Sequence, residues 1–593
     1  MSQERFYFSL RQVREQTNRC NYEKARKLLD ELLERTAGKN QRPEARYYLN
    51  LEFFYLYSSQ RDLARCEYCV NQAFELAVDD ITYAWSKLIK GILDLRKKDF
   101  NEALTPLKES LTFFRRLKIF EGVIEAIDAL AKVFRGLGNY DQAVELLGDG
   151  LNITTKHALP YLRTALLLSL ATIKLIQGQY KQSAGLIREA QVISNEEGFK
   201  ELLSQAYCLL GNIQYSQGNY NAALEGYQKA LILNQEIASV IGMADCFQNL
   251  AVTFRQQGKL SKAVIYFQKA LAAYEKLGDQ FKVAEVLFNI GLLQGEQGNY
   301  PQAYASFIKA RSLAEQLDYK DIKIMVISAL GELALAKDNL QAAKAFILEA
   351  DFGYQNLGII DRRYADNLLL LARIQIEEND SAAQNSLTKI RSLANELNSS
   401  YLEARYFFYQ GWFFHKSRLE QEAEECYLKA LALAKEINLF FYHLGALIQL
   451  AQLEFVHYRK QSDFEQKNKM REYIEQALIL SQDQEIRSVQ AKIRILRALV
   501  YSIDLNYENA LKELQKAISF TLAHDLLQEY KEAEEFQQEM LKASKEYQKL
   551  LERATEDYKV VLAFEKDRKS FEENIDKYLA ELNSTILKEI PKG

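Results

Sequence analysis

Proline is scarce in this 593-residue sequence: it has five, and none between Pro301 and Pro591. A turn-rich β protein of that length is hard to build without proline, whereas helices exclude it from their interiors, so the scarcity favours helices. Cysteine is scarce too, and six residues are too few to staple a disulfide scaffold of this size. No apolar run approaches the ~18 residues of a membrane-spanning helix. Met1-Ser2-Gln3-Glu4-Arg5 leads into no sustained apolar stretch, so no secretory signal is expected. Charge of one sign is lacking: Lys and Arg total 76 against 80 Asp and Glu. That balance gives no global footprint for nucleic acid or an anionic membrane. The expectation is a cytoplasmic protein with no membrane insertion and no nucleic-acid partner.

Catalytic patterns are missing as well. There is no glycine-rich phosphate loop, no His-Glu-x-x-His and no Gly-x-Ser-x-Gly elbow. The five histidines, His157, His415, His443, His457 and His524, are scattered. Cys66-Glu67-Tyr68-Cys69 offers half of a zinc set, but a structural zinc needs four ligands and no second pair has suitable spacing. A buried thiol at Cys66 serves instead as a small apolar group. No enzyme activity, catalytic residue, metal or cofactor is expected.

What is present is a repeat. Gly138-Asn139-Tyr140, Gly178-Gln179-Tyr180, Gly218-Asn219-Tyr220, Gly258-Lys259-Leu260 and Gly298-Asn299-Tyr300 recur with a step of 40. Five residues after each glycine stands a small anchor: Ala143, Ser183, Ala223, Ala263, Ala303. Four further on is a large residue (Leu147, Ile187, Tyr227, Phe267, Phe307), and three beyond that Gly150, Ala190, Ala230, Ala270 or Ala310. Small, large and small at these steps form one helical stripe, where small residues admit a close neighbour and the large one fills the gap. The glycine suits a left-handed residue ending the preceding helix. Twelve residues before each anchor lies another small position, including Gly91, Ala131, Ala171, Gly211, Ala251, Gly291, Gly331 and Gly411. Each unit therefore reads as a first helix paired antiparallel with a second.

The anchors continue at Ala103, Ala343, Ala383 and Ala423, with Cys66 and Ala25 in register upstream. After Ala423 the step lengthens, and the extra residues fall around Arg459–Lys467, a polar stretch expected to be an inter-helix loop. Ala477, then Asn506-Tyr507, Ala510 and Ala517, restore the pattern. From Asp525 apolar residues follow steps of three and four, including Leu526, Ala533, Met540, Tyr547, Leu551, Phe571, Ile575, Tyr578 and Leu582. Such a stripe makes either a dimerising coiled coil through residues 525–590 or a helix that caps the array. Four regions result: 1–80 with degenerate hairpins, 81–438 with the regular repeat, 439–524 with divergent units and an inserted loop, and 525–593 with the heptad-like segment.

These motifs resemble the tetratricopeptide repeat (TPR) family, in a long variety with 40-residue units. The resemblance implies an all-α, right-handed solenoid of helical hairpins whose first helices line a concave groove. Groove positions carried over from the family fall 18, 15, 14, 11, 8 and 7 residues before each anchor. They include Asn212 and Tyr215; Asp245, Gln248, Asn249 and Arg255; Glu285, Asn289 and Glu296; then Glu332, Arg405, Tyr409 and Trp412. Asn249 and Asn289 occupy equivalent sites, and in peptide-binding relatives an asparagine there pairs with the backbone of an extended segment, as an amide can. The run Tyr406–Phe414 crowds aromatics onto one first helix, as do Tyr47-Tyr48 and Phe53-Phe54-Tyr55, either to anchor a partner or to fill the core. Cys208 and Cys246, on successive first helices, are expected to approach each other and stay as thiols in a reducing compartment. The function implied is a non-enzymatic scaffold that binds a partner's peptide or helix. The alternatives are a peptide-responsive regulator of the bacterial Rap type, which would carry a separate N-terminal helical bundle, and a self-assembling architectural component.

Overall fold

The computed structural model describes residues 22–36, 63–77, 79–358, 360–397, 399–461, 464–481, 487–524 and 526–563. Among them are 25 helices and no strand. Helices α1 (Tyr22–Thr36) and α2 (Leu63–Glu75) come first. Eleven hairpins follow, beginning with α3 (Asp80–Arg96) and α4 (Phe100–Leu117), α5 (Phe120–Gly136) and α6 (Tyr140–His157), and α7 (Pro160–Ile176) and α8 (Tyr180–Glu197). Next are α9 (Lys200–Ser216) with α10 (Tyr220–Glu236), α11 (Val240–Gln256) with α12 (Leu260–Leu277), and α13 (Gln280–Glu296) with α14 (Tyr300–Gln316). Then come α15 (Lys320–Ala336) with α16 (Leu340–Asn356), α17 (Arg362–Glu377) with α18 (Ala382–Glu396), and α19 (Ser400–Lys416) with α20 (Glu420–Glu436). The last two pairs are α21 (Phe440–Gln461) with α22 (Phe464–Ser481) and α23 (Arg487–Ile503) with α24 (Tyr507–Ala523), before the long α25 (Leu527–Ala563). The described residues are all-α, built from solenoid-type TPR-like hairpins, as the repeat implied.

The anchors Ala103, Ala143, Ser183, Ala223, Ala263, Ala303, Ala343, Ala383 and Ala423 are all fully buried. So, within 2 %, are the large residues four positions on, from Leu107 to Tyr427. Where the small position of the first helix is a glycine, the large residue of the same unit is aimed at it. A Cβ on Gly211 would stand 2.6 Å from the Tyr227 ring, one on Gly291 2.5 Å from Phe307, and one on Gly411 2.8 Å from Tyr427. Burying each such side chain contributes about 1.5–3 kcal/mol, and the missing Cβ is what lets the two helices close around it.

The turns explain the length of the repeat. Gly138, Gly178, Gly218, Gly258 and Gly298 all take φ between +72° and +79°. A second left-handed residue sits midway between them, at Ala158, Gly198, Ala238, Gly278 and Asp318. Every 20 residues, then, one residue reverses the chain. At all of these but Gly258 the following N–H reaches back to the carbonyl five residues earlier, as Asn139 does to Phe134 at 2.8 Å and Leu159 to Thr154 at 3.2 Å. This 6→1 closure supplies the stop signal at a helix C-terminus.

The polar loop expected around Arg459–Lys467 is largely helix instead: α21 runs on to Gln461 and α22 starts at Phe464. Arg, Lys, Gln and Glu are good helix formers, and without a glycine or proline to stop it the helix simply lengthens. The first half of α25 lies on α24, with Ala533, Met540 and Ala543 fully buried and the Tyr547 ring 5.5 Å from that of Tyr507. Beyond it Leu551 is exposed. The expected features at Tyr47-Tyr48, Phe53-Phe54-Tyr55, Phe571, Ile575, Tyr578 and Leu582 lie outside the described residues, as does the side chain of Ala25.

Contacts divide the chain into two units: Met1–Phe254 with Lys262–Leu287 and Ser312–Tyr319, and Arg255–Ser261 with Phe288–Arg311 and Lys320–Gly593.

Candidate binding groove

In the first unit the expected groove residues are half-buried side chains on α9, α11 and α13. Asn212 is already engaged, its Oδ1 accepting from the Tyr227 hydroxyl at 2.8 Å, and the Tyr215 ring lies 5.6 Å from that of Tyr220. The Tyr274 hydroxyl is shared by Asp245 Oδ1 at 2.5 Å and Gln248 Oε1 at 3.2 Å. Asn249 is different. Its backbone carbonyl accepts from Thr253 at 2.8 Å, but no hydrogen bond of its side-chain amide is found among the described residues. Glu285 is held by Lys282 at 2.6 Å, by Lys98 at 3.1 Å and by the Tyr319 hydroxyl at 2.7 Å. Burial alone would lift its carboxyl, but the two lysines and the tyrosine bring it down to about 2. The Lys98 contact joins residues 187 apart and had no signal in the repeat.

In the second unit Arg255 and Glu296 face each other at 3.8 Å, too far for a hydrogen bond. Arg255 Nε and Nη1 and Glu296 Oε2 are buried without hydrogen-bond partners. Burial raises the Glu296 carboxyl to about 7, with Arg255 opposing and Glu332 adding to the rise. The sign follows: the folded state keeps a proton that the unfolded carboxyl has released. Stability therefore falls as the pH climbs from about 4.5 to about 7. Glu296→Gln is expected to flatten this slope, by on the order of 1–3 kcal/mol across the interval, in denaturant unfolding at a series of pH values. An identical slope in both proteins would refute the assignment.

Asn289 is half-buried on α13. Arg405 on α19 is 8 % exposed, and its guanidinium is satisfied within the fold. It pairs with Asp366, donates to the Tyr442 hydroxyl at 2.8 Å and the Tyr401 hydroxyl at 2.7 Å, and lies 5.1 Å from both rings. Burial opposes its charge most strongly, but Asp366 together with Tyr401, Tyr442 and Tyr409 outweighs it and raises the guanidinium pKa. Tyr406 and Tyr409 are buried, Tyr409 stacking on Trp412 with centroids 6.1 Å apart. Of the three groove residues expected on α19, Trp412 is the half-buried one. Most of the aromatic crowding is core, packed with Leu368, Leu387 and Ile390.

A polar cavity of about 300 Å³, lined by Ser261, Gln297, Asn299, Arg487, Phe520 and His524, also lies in the second unit. Arg487 donates to Asn299 there at 2.9 Å. Nothing in the sequence marked it, since its walls are some 190 positions apart. Among the described residues no cluster of three or more His, Cys, Asp or Glu could hold a metal, and no helix is long and apolar enough to cross a membrane.

The family model described as the MalT-like TPR region matches residues 122–444. No curated protein matches the chain. Similar solved structures include a Rap protein complexed with competence and sporulation factor, 15% identical, covering 60% of this chain and 99% of that one, with a TM-score of 0.48. The apo form of the quorum sensor NprR from B. thuringiensis is 14% identical over 59% of this chain and 99% of its own, TM-score 0.41. The Rap conjugation gene regulator of the plasmid pLS20 in complex with the Phr* peptide is 13% identical over 60% and 97%, TM-score 0.42. At these scores the likenesses say nothing further about this chain.

Proposed function

The chain belongs to the family of MalT-like TPR regions, and from that premise we propose that it is a non-enzymatic adaptor holding a peptide or helix of a partner protein against its first helices. In the first unit the proposed contact residues are Asn212, Tyr215, Asp245, Gln248, Asn249 and Glu285; in the second, taken by itself, they are Arg255, Asn289 and Trp412, with Tyr409 stacked on Trp412. The observation that carries the reading is Asn249. Its half-buried amide makes no hydrogen bond among the described residues, and so keeps both a donor and an acceptor for an incoming backbone. A cytoplasmic location is part of the proposal.

The test uses a partner captured on the full chain, with affinity for its bound segment then measured by titration calorimetry. Asn249→Ala together with Asn289→Ala is expected to weaken binding about tenfold, the loss of one to two hydrogen bonds, without changing helicity. Unchanged affinity would remove the groove assignment.

A peptide-responsive regulator of the Rap type would use the same groove. What distinguishes it is a separate N-terminal bundle, and residues 1–21 and 37–62 lie outside the described residues. Self-association through 525–590 falls in this proposal to the part of the stripe beyond Tyr547, because the earlier part is spent on α24.

A further inference from the structure

We propose that Cys208 and Cys246 are a modification site: the pair closes to a reversible disulfide on reaction with a hydroperoxide. Cys208 lies on α9 and Cys246 on α11, and their sulfurs stand 3.7 Å apart. A disulfide needs about 2.05 Å, so the sulfurs have to approach by about 1.7 Å. Cys246 is held in place for it. The Asn234 amide donates to its Sγ at 3.4 Å and to the Ser204 hydroxyl at 2.7 Å, fixing one sulfur while the other is reached. Exposure divides the roles, since Cys208 is partly exposed and Cys246 fully buried.

Cys208 as thiolate attacks the outer peroxide oxygen. The O–O bond breaks, an alcohol or water leaves, and Cys208 becomes a sulfenic acid. Cys246, giving up its proton, attacks that sulfur; the S–S bond forms and the sulfenic oxygen departs as water. Two thiols lose two electrons in all, and one hydroperoxide is reduced. The hydrogen bond with Cys246, together with burial, raises the Cys208 thiol well above the ordinary range. The thiolate is therefore scarce at neutral pH and the reaction slow, which protects the pair from brief exposure. Once formed, the bond ties two consecutive first helices together beside Asn212 and Gln248. It does so whatever the groove holds, and is independent of the function proposed above.

The test treats the full-length protein with hydrogen peroxide, blocks remaining thiols by alkylation and maps proteolytic peptides by mass. The expected result is a 2 Da loss in a cross-linked peptide joining residues 208 and 246, undone by dithiothreitol, with a rate at least tenfold higher at pH 9 than at pH 7. Cys208→Ser should abolish that peptide while leaving the circular dichroism unchanged. Should this variant fold poorly, the wild-type map decides alone. Both thiols still alkylatable after prolonged exposure to excess peroxide at pH 9, or Cys208 carried on to sulfinic acid without a cross-link, would overturn the proposal.

Discussion

Phe307→Ala is expected to destabilise the second unit by about 3–5 kcal/mol, the usual cost of deleting a buried phenylalanine. Phe307 is 2 % exposed and its ring lies where a Cβ on Gly291 would stand, 2.5 Å away. It also meets the Phe288 ring at 6.1 Å. The vacated volume is bordered by a glycine, which gives the prediction a second part. Gly291→Leu alone should be destabilising through overpacking, whereas Gly291→Leu with Phe307→Ala should recover at least half of the loss, because the new side chain enters the space the ring has left. Denaturant unfolding of the four proteins measures the coupling. Strictly additive losses would mean that the two positions do not face each other and that the 16-residue offset between small and large residues is misread.

The second large effect concerns Arg405. Its guanidinium has left water almost completely, and Asp366, itself more exposed, is its one carboxylate partner in the described contacts. Asp366→Ala removes the counter-charge and leaves the cation buried with only tyrosine hydroxyls, at an expected cost of about 2–3 kcal/mol, below the range for a fully buried pair because Asp366 is partly solvated. Replacing both partners, Asp366→Leu with Arg405→Met, should cost less than Asp366→Ala alone, since no unpaired charge remains and the aromatic neighbours accept apolar atoms. A double variant weaker than the single one would show that the pair contributes net stability. The same reasoning would then assign Arg405 a smaller desolvation cost than its burial suggests.

The hairpin and its register were legible in the sequence because they rest on local steric rules. Ala223, Tyr227 and Ala230 fall on one helical stripe wherever the helix goes, and Gly218 marks a left-handed turn that few other residues adopt cheaply. The alternate turn was not legible. Ala158, Ala238 and Asp318 take the same left-handed geometry with a side chain, enforced by the 6→1 hydrogen bond and by packing rather than by residue type. Nor was the helical run through Arg459–Gln461, where polarity suggested a loop but propensity prevailed. Among the site residues, spacing placed Asn212, Asp245 and Gln248 on first helices but could not show that Tyr227 and Tyr274 already engage them. Lys98 reaching Glu285 depends on how successive hairpins stack, and no pattern of period 40 encodes a contact over 187 residues.

Site-directed photo-cross-linking puts the groove to the most direct test. A benzophenone side chain is placed at Gln248 or Trp412 on first helices, and in parallel at Ile232 or Phe352, which are 55 % and 66 % exposed on second helices. With a captured partner present, illumination is expected to give adducts from the first pair of positions and none from the second. Adducts from Ile232 or Phe352, with none from Gln248 or Trp412, would place the partner on the opposite surface and contradict the account.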